Sequence, residues 1–230
     1  MNWYATRADD YRPPLVKGMR RTNPKERARK RTLDDTELRA VWKAAEANGS
    51  FGALVRLLLV SAQRLAKVQS MRWQDIGIDG AWTIPTEKRE KGNAMELVLP
   101  EIALDIIRAQ PRLGDNPYVL AGRGTGHFNN LGDSKKAFDQ KLAAVLPDMP
   151  QWQLHDLRRT AKTLMVRAGV RPDISEGVLG HVIGGVEGVY DQHEYCEEKA
   201  DALKRLATLI DAIVHYRSAD VLPMKKTRKR

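Results

Sequence analysis

In QWQLHDLRRTAKTLM, residues 151–165, His155 and Arg158 stand three positions apart at the start of an amphipathic stretch. At that spacing two helical side chains share a face, and the free N–H groups of a helix start favour an anion. The anion is either a carboxylate inside the fold, with Arg158 in an ion pair and His155 capping a loop, or a phosphate outside it. Arg159 reads as an acid-paired or solvent-facing neighbour. Other spots place a cation or a phenol at an element edge. Arg64 follows an apolar run, where arginines also cap or salt-bridge helix ends. Lys91 sits at the tip of the polar stretch EKREKGN, and charged loops are commonly just solvated. His181 and Tyr190 lie nine residues apart across LGHVIGGVEGVY. A Gly-His pair in a tight turn has no obvious packing reason, although Tyr190 also suits a half-buried core ring.

Several other chemistries lack their residues. AGRGTGH has no following Lys-Ser/Thr, so it is not a Walker loop. The five histidines (127, 155, 181, 193 and 215) are scattered and the lone cysteine, Cys196, has no partner, so no metal-ligand spacing is present and no metal is expected. No serine stands in a nucleophile elbow. What is left is a set of cations plus a tyrosine, without paired carboxylates.

These residues need elements to hold them. TLDDTELRAVWKAAEA carries capping-box spacing at Asp34 and Glu37, then an apolar stripe of Leu38, Val41, Trp42 and Ala45. FGALVRLLLVSAQ predicts a buried helix, and QRLAKVQSMRWQDI a short one ending near Trp73. The Asp79-Gly80 turn and the alternation in AWTIP and MELVL predict three short strands within residues 76–100. Helices resume in EIALDIIRAQ, LGDSKKAFDQKLAAVL, the HDLRRT stretch, a segment opened by RPDIS, and a long last helix from about Glu197 to Tyr216. The expected fold is mainly α with a small three-stranded antiparallel sheet, an α+β body.

The net charge of +10 is unevenly placed. Residues 1–31 carry 10 Lys+Arg against 3 acids and the closing KKTRKR adds 5 cations, leaving residues 32–224 with 24 basic and 26 acidic side chains, a net of −2. Basic ends suit a phosphate backbone, and equally a solubilising tail. Residues 1–31, with three prolines and no sustained periodicity, read as a basic linker; 32–216 as the folded domain; 217–230 as a basic tail. A body of this size buries roughly 70% of its unfolded surface and needs no staples. One cysteine, no secretory pattern and no apolar run of membrane-spanning length predict a cytoplasmic protein with no membrane partner.

In order, the chain reads Arg…Lys…His-x-x-Arg…Gly-His…Tyr. With HDLRRTAKTLMVRAGV, LGH and the His181–Tyr190 step, it resembles the catalytic domain of the tyrosine recombinases, the phage-integrase family, over roughly residues 32–215. TIPTEKREKGNAMELVLP is similar to that family's second-to-third strand hairpin. The resemblance implies that Arg64, Lys91, His155, Arg158, His181 and Tyr190 are catalytic, Tyr190 being the nucleophile and Lys91 the hairpin lysine. Tyr195 and Lys88 are their nearest rivals. It also makes residues 1–31 the end of a preceding core-binding domain plus its linker, whose Arg20, Arg21, Lys25, Arg27, Arg29, Lys30 and Arg31 would cross the DNA backbone.

The implied reaction is site-specific recombination: tyrosine attack on a phosphodiester of a double-stranded DNA attachment site, giving a 3′-phosphotyrosyl intermediate and rejoining without metal, cofactor or ATP. No small-molecule substrate is implied; other protomers of the same chain, as a tetramer on DNA, are. The family often has an acid three residues after its first arginine, where this chain has Lys67; Asp75 is a possible substitute. That departure leaves room for a DNA-binding relative without turnover. A relaxing type IB topoisomerase-like enzyme is a second alternative, and an RNA-binding helical protein, supported by charge alone, a third.

Overall fold

The computed structural model of the chain describes residues 7, 11, 29–87, 92–181 and 195–215. The chain divides into a unit of residues 1–31 and a unit of residues 32–230; the elements below belong to the second. In order they are α1 (Asp35–Glu46), α2 (Gly49–Ser61), α3 (Leu65–Gln69), a 3₁₀ turn at Trp73–Asp75, β1 (Ala81–Thr83), β2 (Glu96–Val98), α4 (Glu101–Arg108), α5 (Leu131–Val145), α6 (Leu154–Arg167), α7 (Pro172–Leu179) and α8 (Cys196–Val214).

The start of α1 is set locally. The Asp34 carboxylate accepts from the N–H groups of Thr36 and Glu37, and the Glu37 side chain returns a bond to the Asp34 N–H, the reciprocal box its spacing predicts. Leu38, Val41, Trp42 and Ala45 then face inward. The next helix, α2, is apolar on nearly every side, and a helix of that kind belongs in the middle of a bundle. It touches α1, α4, α5, α6 and α8, with Leu54, Leu57, Leu58, Leu59 and Val60 almost wholly buried. A Cβ on Gly52 would lie 1.8 Å from the Ala45 carbonyl oxygen, so only glycine lets α1 and α2 pass this closely.

The sheet is smaller than its sequence pattern. Trp82 and Leu97 pair across β1 and β2 and point into the core, at 0% and 1% exposure. The first expected strand is reduced to a single antiparallel bridge, Ile76 to Trp82. The turn itself consumes the backbone groups a longer pairing needs: Gly77 N–H donates to Ala81 O and Gly80 N–H to Gly77 O. Among the described residues the sheet therefore has two strands. The stretch expected as one short helix ending near Trp73 is likewise α3 plus the 3₁₀ turn. Between them Val119 N–H takes the Met71 carbonyl and Trp73 N–H goes to Pro117 O, so those groups serve a neighbouring segment instead of a continuing helix.

The last helix packs on α1, α6, α7 and β2 through Ala202, Leu203, Leu206 and Ile210. No helix among the described residues is long and apolar enough to cross a membrane.

Candidate active site

Three chain reversals bring the predicted cations together. The first ends α2. Ala62 adopts a left-handed φ of 55°, and the buried Gln63 side chain donates to Ser61 O at 3.1 Å and Val178 O at 2.6 Å, fastening this corner to α7. Arg64 follows as the N-cap of α3. The second is the start of α6, where the fully buried Asp156 accepts from the Gln153 N–H at 2.9 Å and from Arg159 Nη1 at 2.7 Å. Arg159 is thus the acid-paired neighbour its position suggested, and Asp156 is not available to Arg158 on the same terms.

The third reversal closes α7. Gly180, at φ 62°, donates to Gly177 O, and His181 N–H donates to Glu176 O at 3.0 Å. This is the paired 5→2 and 6→1 pattern of a Schellman ending. Glycine is required twice over, by the left-handed φ and by space: a Cβ would lie 2.5 Å from Ala94 N and 2.7 Å from Asn93 C. The Gly of LGH thus lets the end of α7 sit directly against the hairpin backbone.

Arg158 is 5% exposed. Its Nη1 donates to Ala62 O at 2.7 Å, and its Nη2 to Leu179 O at 2.5 Å and to His181 Nε2 at 3.1 Å. Arg64 donates from Nη1 to Gly92 O at 2.8 Å and from Nη2 to Gly180 O at 3.4 Å. The two guanidiniums thus hold successive carbonyls of the same α7 ending. Burial, and then the field of Arg64, lower the Arg158 pKa from its ordinary value to about 10, with Glu176 opposing; Arg158 remains a cation at neutral pH. Of the two partners left open for Arg158, no carboxylate is found among the described residues: its hydrogen bonds there go to carbonyls and an imidazole.

His155 keeps an exposed edge. Partial burial of its ring, followed by the fields of Arg159, Arg158 and Arg64, holds its pKa below the ordinary 6.5, with Asp156 opposing. The ring is neutral at pH 7. His181 Nδ1 is hydrogen-bonded to Glu176, whose other oxygen takes Lys162 Nζ. The fold thus brings Arg64, Arg158 and His181 into one hydrogen-bonded cluster, with His155 in its positive field.

Lys91, its rival Lys88, and Tyr190 lie outside the described residues. So do Arg20, Arg21, Lys25 and Arg27; Arg29, Lys30 and Arg31 belong to the unit of residues 1–31. The base of the loop that carries Lys91 is tightly held. Asn93 Nδ2 donates to Ile84 O at 2.8 Å and Thr86 Oγ1 at 3.1 Å. Lys67 Nζ donates to Pro85 O at 2.6 Å and pairs with Glu87 at 3.4 Å, and the buried Lys199 Nζ donates to Ala94 O at 3.0 Å. The cation at the usual acidic position therefore grips the hairpin arm, and Asp75 accepts from the Arg72 N–H at 3.2 Å.

Tyr195 begins α8 with its ring against the core and lies in the field of Arg171, at the N-terminal end of α7. The eight residues of α7 span about 12 Å, so Tyr195 and His181 are near opposite ends of that helix.

Glu176, Lys162, Gln63, Asn93 and Lys199 escaped the sequence reading. Only Lys199 left a signal: a cation on the same stripe as Ala202, Leu203 and Leu206. A separate groove of about 960 Å³ between α1, α2, α4 and α8 is lined by Trp42, Arg56 and Leu99 and edged by Glu46, Glu101, Asp105, Asp201 and Asp211. That acidic edge would repel a phosphate backbone.

A model of the phage integrase family matches residues 31–195. Prophage integrase IntZ of Escherichia coli (strain K12) is 28% identical over 184 residues, 78% of this chain and 44% of IntZ, so the chain spans less than half the length of this curated relative. Among solved structures, the integrase from mycobacterium phage Brujita matches with a TM-score of 0.56 at 16% identity, over 88% of this chain and 65% of that one. XerA recombinase matches at 0.53 and 16%, over 82% and 60%. The lambda integrase catalytic core matches at 0.50 and 17%, over 67% of this chain and 94% of that one. At these identities the structural matches establish the fold, the mainly helical body with its small antiparallel sheet.

Proposed function

The chain belongs to the phage integrase family, and on that premise we propose that it recombines double-stranded DNA at a specific site, by attack of a tyrosine on a phosphodiester. The phenol oxygen of Tyr190 bonds to phosphorus, the 5′ oxygen of the next nucleotide leaves, and the DNA 3′ end is held as a phosphotyrosyl ester. A 5′ hydroxyl of another strand then reverses the step, so the bond energy is conserved and no ATP is spent.

The observation that carries this reading is the Arg64–Arg158 pair. Two like charges are gathered at one helix ending, one of them buried and, among the described residues, bound to carbonyls and a histidine. Such an arrangement gains most from an anion with spread charge, and guanidiniums fit phosphate oxygens bidentately. The same field favours the phenolate of a tyrosine whose ordinary pKa is about 10. His155, neutral at pH 7, is free to accept a proton or hydrogen-bond the phosphate. Lys91, on the loop whose base Asn93, Lys67 and Lys199 secure, gives the leaving oxygen its proton. We assign Tyr190 the nucleophilic role over Tyr195 because Tyr195 lies toward the far end of α7.

In the same reading residues 1–31 cross the DNA backbone as a basic linker, residues 32–216 form the catalytic domain, 217–230 are a basic tail, and further protomers join on the DNA. The place of action is the cytoplasm, where a lone exposed cysteine stays reduced.

The test is capture of the covalent intermediate. The chain, and its Tyr190→Phe and Tyr195→Phe variants, are incubated with a library of nicked duplexes of randomised core sequence and run on denaturing gels. An adduct lost only in Tyr190→Phe is the expected result. No adduct from the wild-type chain, with DNA binding intact, would overturn the catalytic reading in favour of a DNA-binding relative without turnover. Cleavage and rejoining at single sites without pairing of two duplexes would instead indicate a relaxing topoisomerase.

A further inference from the structure

The ending of α7 carries a feature that neither the phosphate cradle nor the packing of the helix explains. A Schellman ending brings the residue after the glycine back over the residue five positions earlier, and an apolar contact commonly joins them. Here those residues are His181 and Glu176, and they are tied twice. The His181 N–H donates to the Glu176 carbonyl at 3.0 Å, and the His181 ring meets the Glu176 carboxylate through Nδ1.

The two sides of the ring leave it one neutral tautomer. Arginine has no acceptor and an ionised carboxylate has no donor. Arg158 Nη2 therefore donates into the Nε2 lone pair at 3.1 Å, and the ring proton sits on Nδ1, donated to Glu176 Oε2. The opposite tautomer would lose both bonds. Burial pushes the Glu176 carboxyl up, but its bonds to Lys162 and His181 outweigh burial and hold it below the ordinary 4.5, so it is ionised at neutral pH. Lys162, one turn beyond Arg158 on α6, takes the other carboxylate oxygen and keeps it from rotating away.

We infer that Glu176 is a positioning residue for the proposed DNA cleavage, holding the His181 ring with Nε2 as its proton-accepting nitrogen toward Arg158. The inference rests on the function proposed above. When Arg158 turns its N–H groups to a phosphate oxygen, Nε2 is released beside the reacting groups with its lone pair already aimed. Around the ring stand the cations Arg158, Arg64 and Lys162 and the carboxylate of Glu176, while Lys199 on α8 is engaged with Ala94 O. Second partners of this kind commonly change the function of the group they orient by about 10- to 100-fold.

The test reads both tautomer and rate on the full chain. Long-range ¹⁵N–¹H spectra of wild type should show His181 protonated at Nδ1 at neutral pH, and Glu176→Gln should weaken that preference. With the nicked duplex library, Glu176→Gln should cleave about 10- to 100-fold more slowly. Lys162→Met, which keeps Glu176 itself but frees its carboxylate to rotate, should slow cleavage and weaken the Nδ1 preference by less, and covers the case of a Glu176 variant that does not fold. An Nε2-protonated His181 in wild type would overturn the inference, as would wild-type rates with an unchanged tautomer preference in both variants. A wild type that cleaves no DNA but shows the Nδ1 tautomer would sink the parent reading alone.

Discussion

Replacing Arg158 by methionine separates a functional cation from a structural one. Lowering its pKa from the ordinary guanidinium value to about 10 corresponds to roughly 3 kcal/mol of cost for holding the charge in the folded state. Methionine removes that cost and keeps most of the alkyl stem. It also orphans two carbonyl oxygens, Ala62 O and Leu179 O, at about 1–3 kcal/mol each. The two effects largely cancel, so Arg158→Met should stay within about 3 kcal/mol of wild type in urea unfolding. For a chain of this size each kcal/mol moves Tm by about 2–4 °C. Cleavage is expected to fall on the order of 100- to 1000-fold, as when one preorganised donor to a reacting oxyanion is deleted. The assays are urea melts followed by tryptophan fluorescence, and adduct formation on the nicked duplexes. A loss of more than about 5 kcal/mol would mean that the guanidinium is there to hold α2, α6 and α7 together. Wild-type cleavage with intact stability would refute its role as a phosphate ligand.

Gly180→Ala should destabilise the fold by roughly 2–5 kcal/mol, the sum of a left-handed φ on a residue with a Cβ and its overlap with the Asn93–Ala94 backbone; an unchanged urea midpoint would contradict the close approach. Acidification should cost stability in two stages. The folded-state pKa of His155 is depressed, so the unfolded chain binds the proton first and stability falls as pH drops below about 6.5. Glu176 is held below its ordinary value, so its contribution, present above about 4.5, is lost as pH falls through its folded pKa. His155→Gln should flatten the first stage, and an identical pH dependence in the variant would remove the histidine from the account. Deleting residues 1–31 should make the dependence of log K on log salt shallower by about 0.9 for each phosphate that the linker neutralises. An unchanged slope would take the linker off the DNA.

Much of this protein is written within short windows of its sequence. The box at Asp34 and Glu37, the stripe of Leu38, Val41, Trp42 and Ala45, and the all-round apolar α2 are decided by helical period and capping, which act over a few residues. The Gly-His pair announced a reversal, and the residue types of Arg64, His155, Arg158 and His181 announced an anion. Local rules overshot where backbone groups had competing partners. The turn at 77–81 reduced a predicted strand to one bridge, and residues 117–119 took the groups that would have continued α3. Tertiary packing alone decided the site. Arg158 meets Ala62 across 96 residues and Lys199 meets Ala94 across 105, distances over which no periodicity carries information. Whether Arg158 would find a carboxylate or a pair of carbonyls depended on how α2, α6 and α7 crossed. The same packing turned Lys67 toward the hairpin arm. Sequence supplied the cations and the reversals. The packing of the helices brought like charges together around carbonyls, and that arrangement gives the site its demand for an anion.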